Sequence, residues 1–470
     1  MRNKSRLRSF FSRPSVSAAI IAVYVAIISL SILGFGSTGP FALSLSCLAT
    51  TLLLLASVGV KGIPDREAKR LFMASAILII SVAWVYFQTT SFFHLISAFE
   101  EVTQPTISIS PADSLSTIQV FALPLLIYMA GAIIVRDSRD VSICNTLLLS
   151  AASAIIVVTS IEFFLYPNYV LFFPKLYYKD SLTVTFVNRN NAGTFIGLTC
   201  LLIARTLWAR GRLYKTGDLW AVVFSQQRVS RAHLKIVALT CLFLIILLSL
   251  FLTRSRAAII CTLASLSFFI FLLTWLEMRS KLSGRSLARR LAATVATILL
   301  SMAAGLALFG EHLFSRIGAA GLESSRFCAL PAILRVLTEN IWLGTGAGTF
   351  EIAFASARDP ACGVMGVWQK AHNTYLQIWI EFGILGPILA IATIVSVVSM
   401  LYCSLRSRSK SRSYGVLGLS GLLLVVMHST VDFPLEIPAI ASFFAAIIVL
   451  TTIVPGSGDR PAITKYGEFA

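Results

Sequence analysis

Residues 236–252, IVALTCLFLIILLSLFL, contain no charged side chain and only two hydroxyl groups. A helix rises about 1.5 Å per residue, so this run extends about 25 Å, close to the thickness of a bilayer's hydrocarbon core. A helix also satisfies its own backbone hydrogen bonds, which any segment in lipid requires. The run therefore predicts a transmembrane helix, and similar runs recur along the chain.

The composition agrees with this interpretation. Of the 470 residues, 57% are hydrophobic and 13% are charged, and the mean hydropathy is +0.83. The basic start, residues 1–14, precedes a long apolar run, which indicates a retained first helix instead of a cleaved signal peptide. We predict an all-α, polytopic membrane protein of about twelve transmembrane helices, near 16–36, 40–60, 71–90, 116–135, 142–165, 185–204, 236–252, 257–276, 291–310, 374–401, 415–431 and 439–454.

Basic residues alternate between the two sides of this arrangement. If the N-terminus is cytoplasmic, the segments on the inner side hold 29 of the 39 Lys and Arg residues. Cytoplasmic loops carry such an excess, so the alternation predicts cytoplasmic N- and C-termini. The net charge of +18 is then explained by topology and by attraction to anionic membrane lipids. We see no nucleic-acid motif and expect no nucleic-acid partner.

One long external loop, residues 311–373, separates two predicted helices. Apolar residues at helical spacing in 326–338 predict a helix on the membrane surface, and the glycine-rich stretch 344–348 after it predicts a tight turn. The loop also contains Cys328 and Cys362. In an oxidising compartment we expect these two to form a disulfide bond if their separation allows it.

Polar and ionisable residues gather at the outer ends of the predicted helices. A charge at membrane depth costs roughly 2.5–3.5 kcal/mol on insertion scales, so such residues face a protein interior or a watery cavity. Their common depth suggests one shared site. The alternative for any single arginine is that it extends to the lipid phosphates. The residues are Asn188, Arg189, Asn190, Asn191, Arg254, Arg256, His372, Asn373, Glu381, His428, Asp432 and Glu436.

Five segments together resemble a known family. They are FVNRNNAG (186–193), RSR (254–256), WLGTGAGTFE (342–351), AHNTYLQIWIEFGILG (371–386) and HSTVDFPLEIPAI (428–440). Their order, spacing and sidedness resemble the superfamily of O-antigen ligases and O-antigen or exopolysaccharide polymerases of the bacterial inner membrane. The similarity covers roughly residues 185–445. It divides the chain into N-terminal membrane helices (1–184), a catalytic membrane region (185–454) that includes the periplasmic loop, and a cytoplasmic tail (455–470).

The resemblance implies a periplasm-facing, inverting glycosyltransferase for lipopolysaccharide or exopolysaccharide biosynthesis. Such enzymes take a glycan from undecaprenyl diphosphate and join it to lipid A–core in the ligases or to a second lipid-linked glycan in the polymerases. The resemblance implies no metal and no cofactor. The sequence leaves open whether this chain is a ligase or a polymerase.

Arginine suits the donor, because guanidinium groups bind diphosphate oxygens bidentately without a metal. Arg256 matches the family's arginine position best, and we expect Arg326 of the long loop as the second ligand. Arg189 and Arg254 are supporting candidates. Arg254 and Arg256 are two residues apart, which on a helix places them on nearly opposite faces.

His372 is the candidate general base for the acceptor hydroxyl, because imidazole titrates in the useful range. If 372–379 is helical, His372 shares a face with Tyr375 and Trp379, while Thr374, Gln377 and Glu381 form a second line. The alternative is a histidine that only bonds a loop carbonyl. Acceptor-binding or supporting residues are expected among Asn373, Tyr375, Glu381, His428 and Asp432.

The HSTVDFPLE segment has two interpretations. His428 and Asp432 are four residues apart, so they can pair on one face and line the entrance for the acceptor. They can equally form a structural bridge between helices.

The second class of function is a membrane transporter or flippase for a lipid-linked or anionic solute, for which a twelve-helix arrangement is common. A transporter is expected to have polar groups on both sides of a site at the membrane midplane. In this sequence they gather on the outer side beside one long loop, which favours the transferase.

Overall fold

The computed structural model describes residues 14–91, 106–211, 231–279, 325–358, 368–406 and 412–452, and isolated positions between 284 and 295. Two two-residue strands, β1 (Tyr169–Val170) and β2 (Phe173–Pro174), form an antiparallel hairpin. The helices in these ranges are α1 (Pro14–Leu33), α2 (Pro40–Lys61), α3 (Asp65–Thr89), α4 (Pro111–Ile134), α5 (Ser138–Leu165), α6 (Arg189–Gly211), α7 (Arg231–Leu252), α8 (Arg256–Met278), α9 (Ser325–Glu339), α10 (Phe350–Ala357), α11 (Thr374–Phe382), α12 (Leu385–Arg406), α13 (Arg412–His428) and α14 (Pro438–Thr452).

The predicted all-α, polytopic membrane fold is confirmed. Within the described ranges, α1 to α8 and α12 are long and apolar enough to span a membrane, and α13 and α14 are shorter apolar helices. The predicted helix at 291–310, apart from two isolated positions, and the tail at 455–470 lie outside the described residues. The surface helix predicted at 326–338 exists as α9, and α10 follows it in the same long loop.

Local sequence signals set several helix starts. Proline occupies the first position of α2, α4 and α14, where its missing N–H needs no partner. Asp137 caps α5 by accepting hydrogen bonds from the backbone N–H groups of Arg139 and Asp140. These local residues define where the helices start and need no contacts with distant parts of the chain.

Helix α6 is the central helix of the bundle. In its most apolar stretch 72% of the residues are buried, compared with 17% in both α7 and α12. A Cβ added at Gly193 would overlap the side chain of Ala258, so α6 and α8 approach closely there. Polar residues at the outer end of α6 therefore lie inside protein and not in lipid.

The connections predicted to lie on one side of the membrane meet at one end of the bundle. Leu182, between α5 and α6, donates its N–H to the carbonyl of Leu252 at the end of α7, at 2.9 Å. Thr374 donates to the carbonyl of Ser429 after α13, at 3.0 Å. Gly36, between α1 and α2, contacts Phe186. These contacts agree with alternating passes of the helices across the membrane.

The helix predicted at 374–401 is wrong as a single element. Gly383 has φ +61° and separates α11 from α12. The break is built against the glycine-rich turn 344–348. Ile384 donates its N–H to the carbonyl of Trp342 at 3.2 Å, and Gly346 donates to the carbonyl of Glu381 at 3.1 Å. The long loop thus forms hydrogen bonds with backbone N–H and C=O groups that would have bonded to each other within a continuous helix.

We expect Gly383→Ala to destabilise the protein by about 3 kcal/mol or more, because its Cβ would overlap the Trp342 carbonyl and because φ is positive. The control is Gly59→Ala inside α2, where nothing lies within 4 Å of the added Cβ. That change should be neutral or stabilise by up to about 1 kcal/mol. Thermal unfolding of the purified variants in detergent measures both effects, and equal midpoints would contradict the account.

Candidate functional site

His372 lies in the turn before α11 and not on the helix. Its φ is +52°, an uncommon conformation for a residue other than glycine. The prediction that His372 shares a helical face with Tyr375 is therefore wrong, because the helix begins at Thr374. The side chain of Asn373 caps α11 by accepting from the N–H groups of Tyr375 and Leu376. Because this cap defines the start of the helix, His372 lies before it and the imidazole stays in the turn.

Two aromatic rings and a carboxylate surround the imidazole. Its centroid is 5.4 Å from that of Trp368 and 5.2 Å from that of Phe433. Nδ1 is 3.8 Å from Oδ1 of Asp432 and has no hydrogen-bond partner within the described residues. The imidazole side chain is 24% exposed, whereas Asp432 is fully buried. Asp432 therefore faces the inner side of the ring.

Asp432 is held by groups from other elements. Its Oδ2 accepts a hydrogen bond from Nδ2 of Asn190 at the start of α6, and its Oδ1 accepts from the N–H of Phe433 at 2.9 Å. Ser255, which caps α8, donates to Oδ1 of Asn190 at 2.7 Å. Hydrogen bonds thus connect Ser255, the residue before Arg256, through Asn190 to the Asp432 carboxylate that faces His372.

His428 and Asp432 do not line an entrance, since both are fully buried. Nδ1 of His428 is 2.6 Å from the hydroxyl of Thr194 on α6. Both side chains therefore join the end of α13 to the start of α6. This geometry favours the structural interpretation of His428.

Three of the four candidate arginines, Arg189, Arg254 and Arg256, lie at the starts of α6 and α8. Arg256 opens α8 and is half-buried, and the structure gives it no carboxylate partner among the described residues. Arg254 is exposed and pairs with Asp180 at 2.7 Å. Arg189 donates to the hydroxyl of Ser181 at 3.3 Å and lies over the ring of Tyr178. Arg326 is in the first turn of α9, where the structure describes only the backbone.

Glu381 is the buried anchor of the glycine-rich turn. Its Oε2 accepts from the N–H of Gly348 at 2.9 Å, and its Oε1 accepts from Nε2 of Gln377 at 3.1 Å. The predicted line of Gln377 and Glu381 on one face of α11 is confirmed. Burial raises the pKa of the Glu381 carboxyl, although Lys370 and these hydrogen bonds lower it. Glu381 therefore holds the glycine-rich turn and also contributes to the wall of the cavity described below.

The structure adds a charged pair to which sequence analysis gave no role. Nζ of Lys370 is 3.0 Å from Oε2 of Glu436, and the side chains are 33% and 12% exposed. The pKa of Glu436 is raised to about 7, first by burial and also by Glu381, although Lys370 acts to lower it. Burial lowers the pKa of Lys370, but Glu436 and Glu381 raise it more, so it lies above its usual value. Lys370 shows no periodic or motif signal in the sequence, and only the fold reveals its partner.

A cavity of about 1180 Å³ opens beside these groups. Its polar end is lined by Trp368, Lys370, His372, Tyr375 and Glu436. Apolar residues of α3, α4, α12 and α14 line the rest, as far as Lys69 and Arg70 near the opposite end of α3. The described side chains of Arg189, Arg254 and Arg256 are not part of its lining, although Asn188 and Asn191 beside Arg189 are.

A family model described as O-antigen ligase matches residues 241–391. Residues 241–391 are thus similar to the O-antigen ligase family. No curated protein matches the chain in sequence. The match runs from α7 to the start of α12 and includes Arg256, the loop helices α9 and α10, and His372. It confirms the resemblance to the ligase and polymerase superfamily.

The matched segment alone does not complete the site. Asn190, Asp432 and Glu436 lie outside the matched segment but contact it through Ser255, His372 and Lys370. Cys328 of this segment is disulfide-bonded. Cys362, the predicted partner, lies outside the described residues, so this pairing stays a prediction.

The raised pKa of Glu436 predicts a pH-dependent stability. Between its usual pKa of 4.5 and about 7 the folded protein binds more protons at this group than the unfolded chain does, so stability falls as pH rises through this window. The decline amounts to at most roughly 3 kcal/mol. Glu436→Gln should remove it, and Glu339→Gln, an exposed change on α9, should not. Unfolding midpoints measured from pH 5 to pH 8 test this, and parallel curves for Glu436→Gln and wild type would refute it.

Proposed function

We propose that this protein is a glycosyltransferase that moves a glycan from undecaprenyl diphosphate to an acceptor sugar on the periplasmic side of the bacterial inner membrane. The observation that carries the proposal is His372, which has Asp432 behind it and lies at the polar end of a cavity that continues between membrane helices. A reactive polar end joined to an apolar intramembrane cavity fits a substrate with a sugar head and a lipid tail. The family match supports this reaction class.

The cavity suits the isoprenoid part of the donor. Apolar side chains line it through much of the length of α3, and its volume of about 1180 Å³ exceeds the roughly 300–1,000 Å³ of ordinary small-molecule sites. Burying a chain of isoprene units there removes apolar surface from water or lipid headgroups. The diphosphate at the end of that chain then lies near the outer ends of the helices.

Arg256 is the proposed ligand of the diphosphate. It is half-buried without a carboxylate partner among the described residues, and it opens α8, where the helix dipole also favours negative charge. Arg326 and Arg189 are the proposed further ligands. Arg254 contributes less in this proposal, because its exposed guanidinium already pairs with Asp180.

His372 is the proposed general base. With the Nδ1–H directed at Asp432, Nε2 accepts the proton of the acceptor hydroxyl while the hydroxyl oxygen attacks the anomeric carbon. The bond between that carbon and the phosphate oxygen breaks, and the diphosphate leaves on the opposite face. A single displacement of this kind inverts the anomeric configuration. Asp432 stabilises the imidazolium that forms, and its present separation of 3.8 Å is expected to shorten in the charged state.

Two features support the periplasmic orientation. The helix ends that carry the site are on the side with 10 of the 39 basic residues, opposite the side with 29. The disulfide bond of Cys328 lies in the loop on this same side, and such bonds form in oxidising compartments. Both support a long loop outside the cytoplasm and both termini inside.

A flippase for lipid-linked glycans is the second candidate. It is favoured by one observation, the extension of the cavity from His372 to Lys69 and Arg70 near the other membrane face. The two functions separate in detergent, where a flippase has no compartments to connect but a transferase still forms a glycosidic bond. Among transferases, deletion of the gene separates the types: a missing ligase removes all O-chains from lipid A–core, and a missing polymerase leaves single repeats.

We expect His372→Ala to lower glycan transfer by roughly two to four orders of magnitude, the usual contribution of a general base. Donor binding and the unfolding midpoint should change little, because the ring makes no hydrogen bond within the described structure. Transfer is measured with purified protein, undecaprenyl-diphosphate-linked glycan and acceptor. A stable His372→Ala protein with near-normal transfer would remove this residue from the chemistry.

Arg256→Lys should keep the positive charge but lose the bidentate geometry, so we expect donor binding to weaken by roughly tenfold or more. Arg335→Lys on α9 is the control, because that arginine is exposed and outside the proposed site. Donor affinity is measured by titration of each protein with the lipid-linked glycan. Equal affinities for the two variants would show that Arg256 is not a ligand of the diphosphate.

A further inference from the structure

A contribution to stability does not by itself explain the Lys370–Glu436 ion pair. Exposed ion pairs contribute little to stability, and partly buried ones carry a desolvation cost that packing alone would avoid. This pair, at 3.0 Å, lines the cavity beside His372, and outside the ion pair both carboxylate oxygens of Glu436 are buried there without a hydrogen-bond partner among the described residues. A desolvated charged pair in a cavity wall is a functional candidate on physical grounds.

The pair is also held in place. Gln377 of α11 accepts a hydrogen bond from the N–H of Ala371 at 2.9 Å and donates to Glu381 at 3.1 Å. The residue next to Lys370 is thereby tied to the buried anchor of the glycine-rich turn. Glu436 is at the end of the short 3₁₀ helix Pro434–Glu436, two residues before α14. Both partners are therefore preorganised by the surrounding fold.

We propose that Lys370 and Glu436 form the subsite that binds a sugar ring of the acceptor next to His372. A carboxylate accepts hydrogen bonds from two neighbouring hydroxyl groups, and an ammonium group donates to a third or to the ring oxygen. Trp368, beside His372 in the same cavity wall, offers apolar ring surface to the carbon-bound face of a sugar. The subsite thus takes a hydroxyl-rich pyranose, and this inference rests on the proposed function.

The position of the Lys370–Glu436 pair within the site favours the acceptor sugar over the donor sugar as its ligand. Lys370 and His372 belong to one short turn, and Glu436 follows Asp432 and Phe433. Arg256 lies on α8, at the far end of the chain through Ser255, Asn190 and Asp432. A sugar bound by Lys370 and Glu436 therefore presents a hydroxyl to His372 from the side away from the diphosphate.

The test compares wild type with Glu436→Gln and Lys370→Met as full-length purified proteins. Two acceptor probes are used, lipid A–core glycolipid from a strain without the gene and a lipid-linked repeat unit, and the one that is bound identifies the source of the sugar. We expect the KM for the acceptor to rise about 10- to 100-fold, the effect of losing hydrogen bonds to a charged group, with kcat and the donor KM nearly unchanged.

Glu351→Gln is the matched control. Glu351 is an exposed carboxylate that also raises the pKa of Lys370, but it does not line the cavity. The Glu351→Gln variant should therefore behave as wild type. An unchanged acceptor KM in Glu436→Gln, or a loss confined to kcat, would overturn the subsite. If Glu436→Gln does not fold, Glu436→Asp keeps the charge but is one methylene shorter, and it should show the same rise in KM.

Direct binding measurements distinguish a failure of the proposed subsite from a failure of the proposed transferase activity. Titration of wild type with each glycolipid, followed by the fluorescence of the tryptophans, needs no turnover. Binding that Glu436→Gln weakens about tenfold or more supports the subsite even if no transfer is observed, which would count against the transferase alone. Transfer by wild type, combined with equal binding by the variant, would sustain the transferase and refute the subsite.

Discussion

The buried carboxylate of Asp432 is the constraint on which the outer end of this protein depends. A fully buried charge is costly unless it is paired and hydrogen-bonded, so the chain must bring partners to it. It does so with the amide of Asn190 from α6 and the N–H of Phe433, and the imidazole of His372 lies 3.8 Å away without a hydrogen bond. Because Asn190 and Asp432 belong to separate elements, satisfying this carboxylate fixes where α6 meets the segment after α13.

A second constraint lies in backbone contacts around the glycine-rich turn. Gly344, Gly346 and Gly348 all have positive φ, and added Cβ atoms would overlap the backbone of Glu381, Ser108 or the hydroxyl of Thr117. The backbone of this turn therefore lies directly against α11 and α4. It fixes the long loop against α11, and α9 and α10 pack on α11 through a hydrophobic cluster. The turn that carries His372 thus lies between the buried Asp432 and a loop that is itself anchored on Glu381.

Several parts of this arrangement could be predicted from the sequence because they depend on local or periodic properties. Apolar length predicts the membrane helices, the distribution of Lys and Arg predicts their alternation, and prolines and polar caps predict helix starts. The grouping of polar residues at one depth predicts one site, and His372, Asp432 and Asn190 do meet there. The break at Gly383 could not be predicted, because isolated glycines also occur inside continuous helices, such as Gly59 in α2.

The sequence by itself determined that this protein is a helical membrane protein, and it predicted polar groups gathered on one side, since hydrophobicity and charge act residue by residue. Only the tertiary structure decided which groups face the cavity. It placed His428 and Asp432 in the interior, moved His372 off its helix, and paired Lys370 with Glu436 across 66 residues of sequence. These outcomes depend on hydrogen bonds and ion pairs between distant segments, and the energy of such a contact exists only when both partners have been brought together.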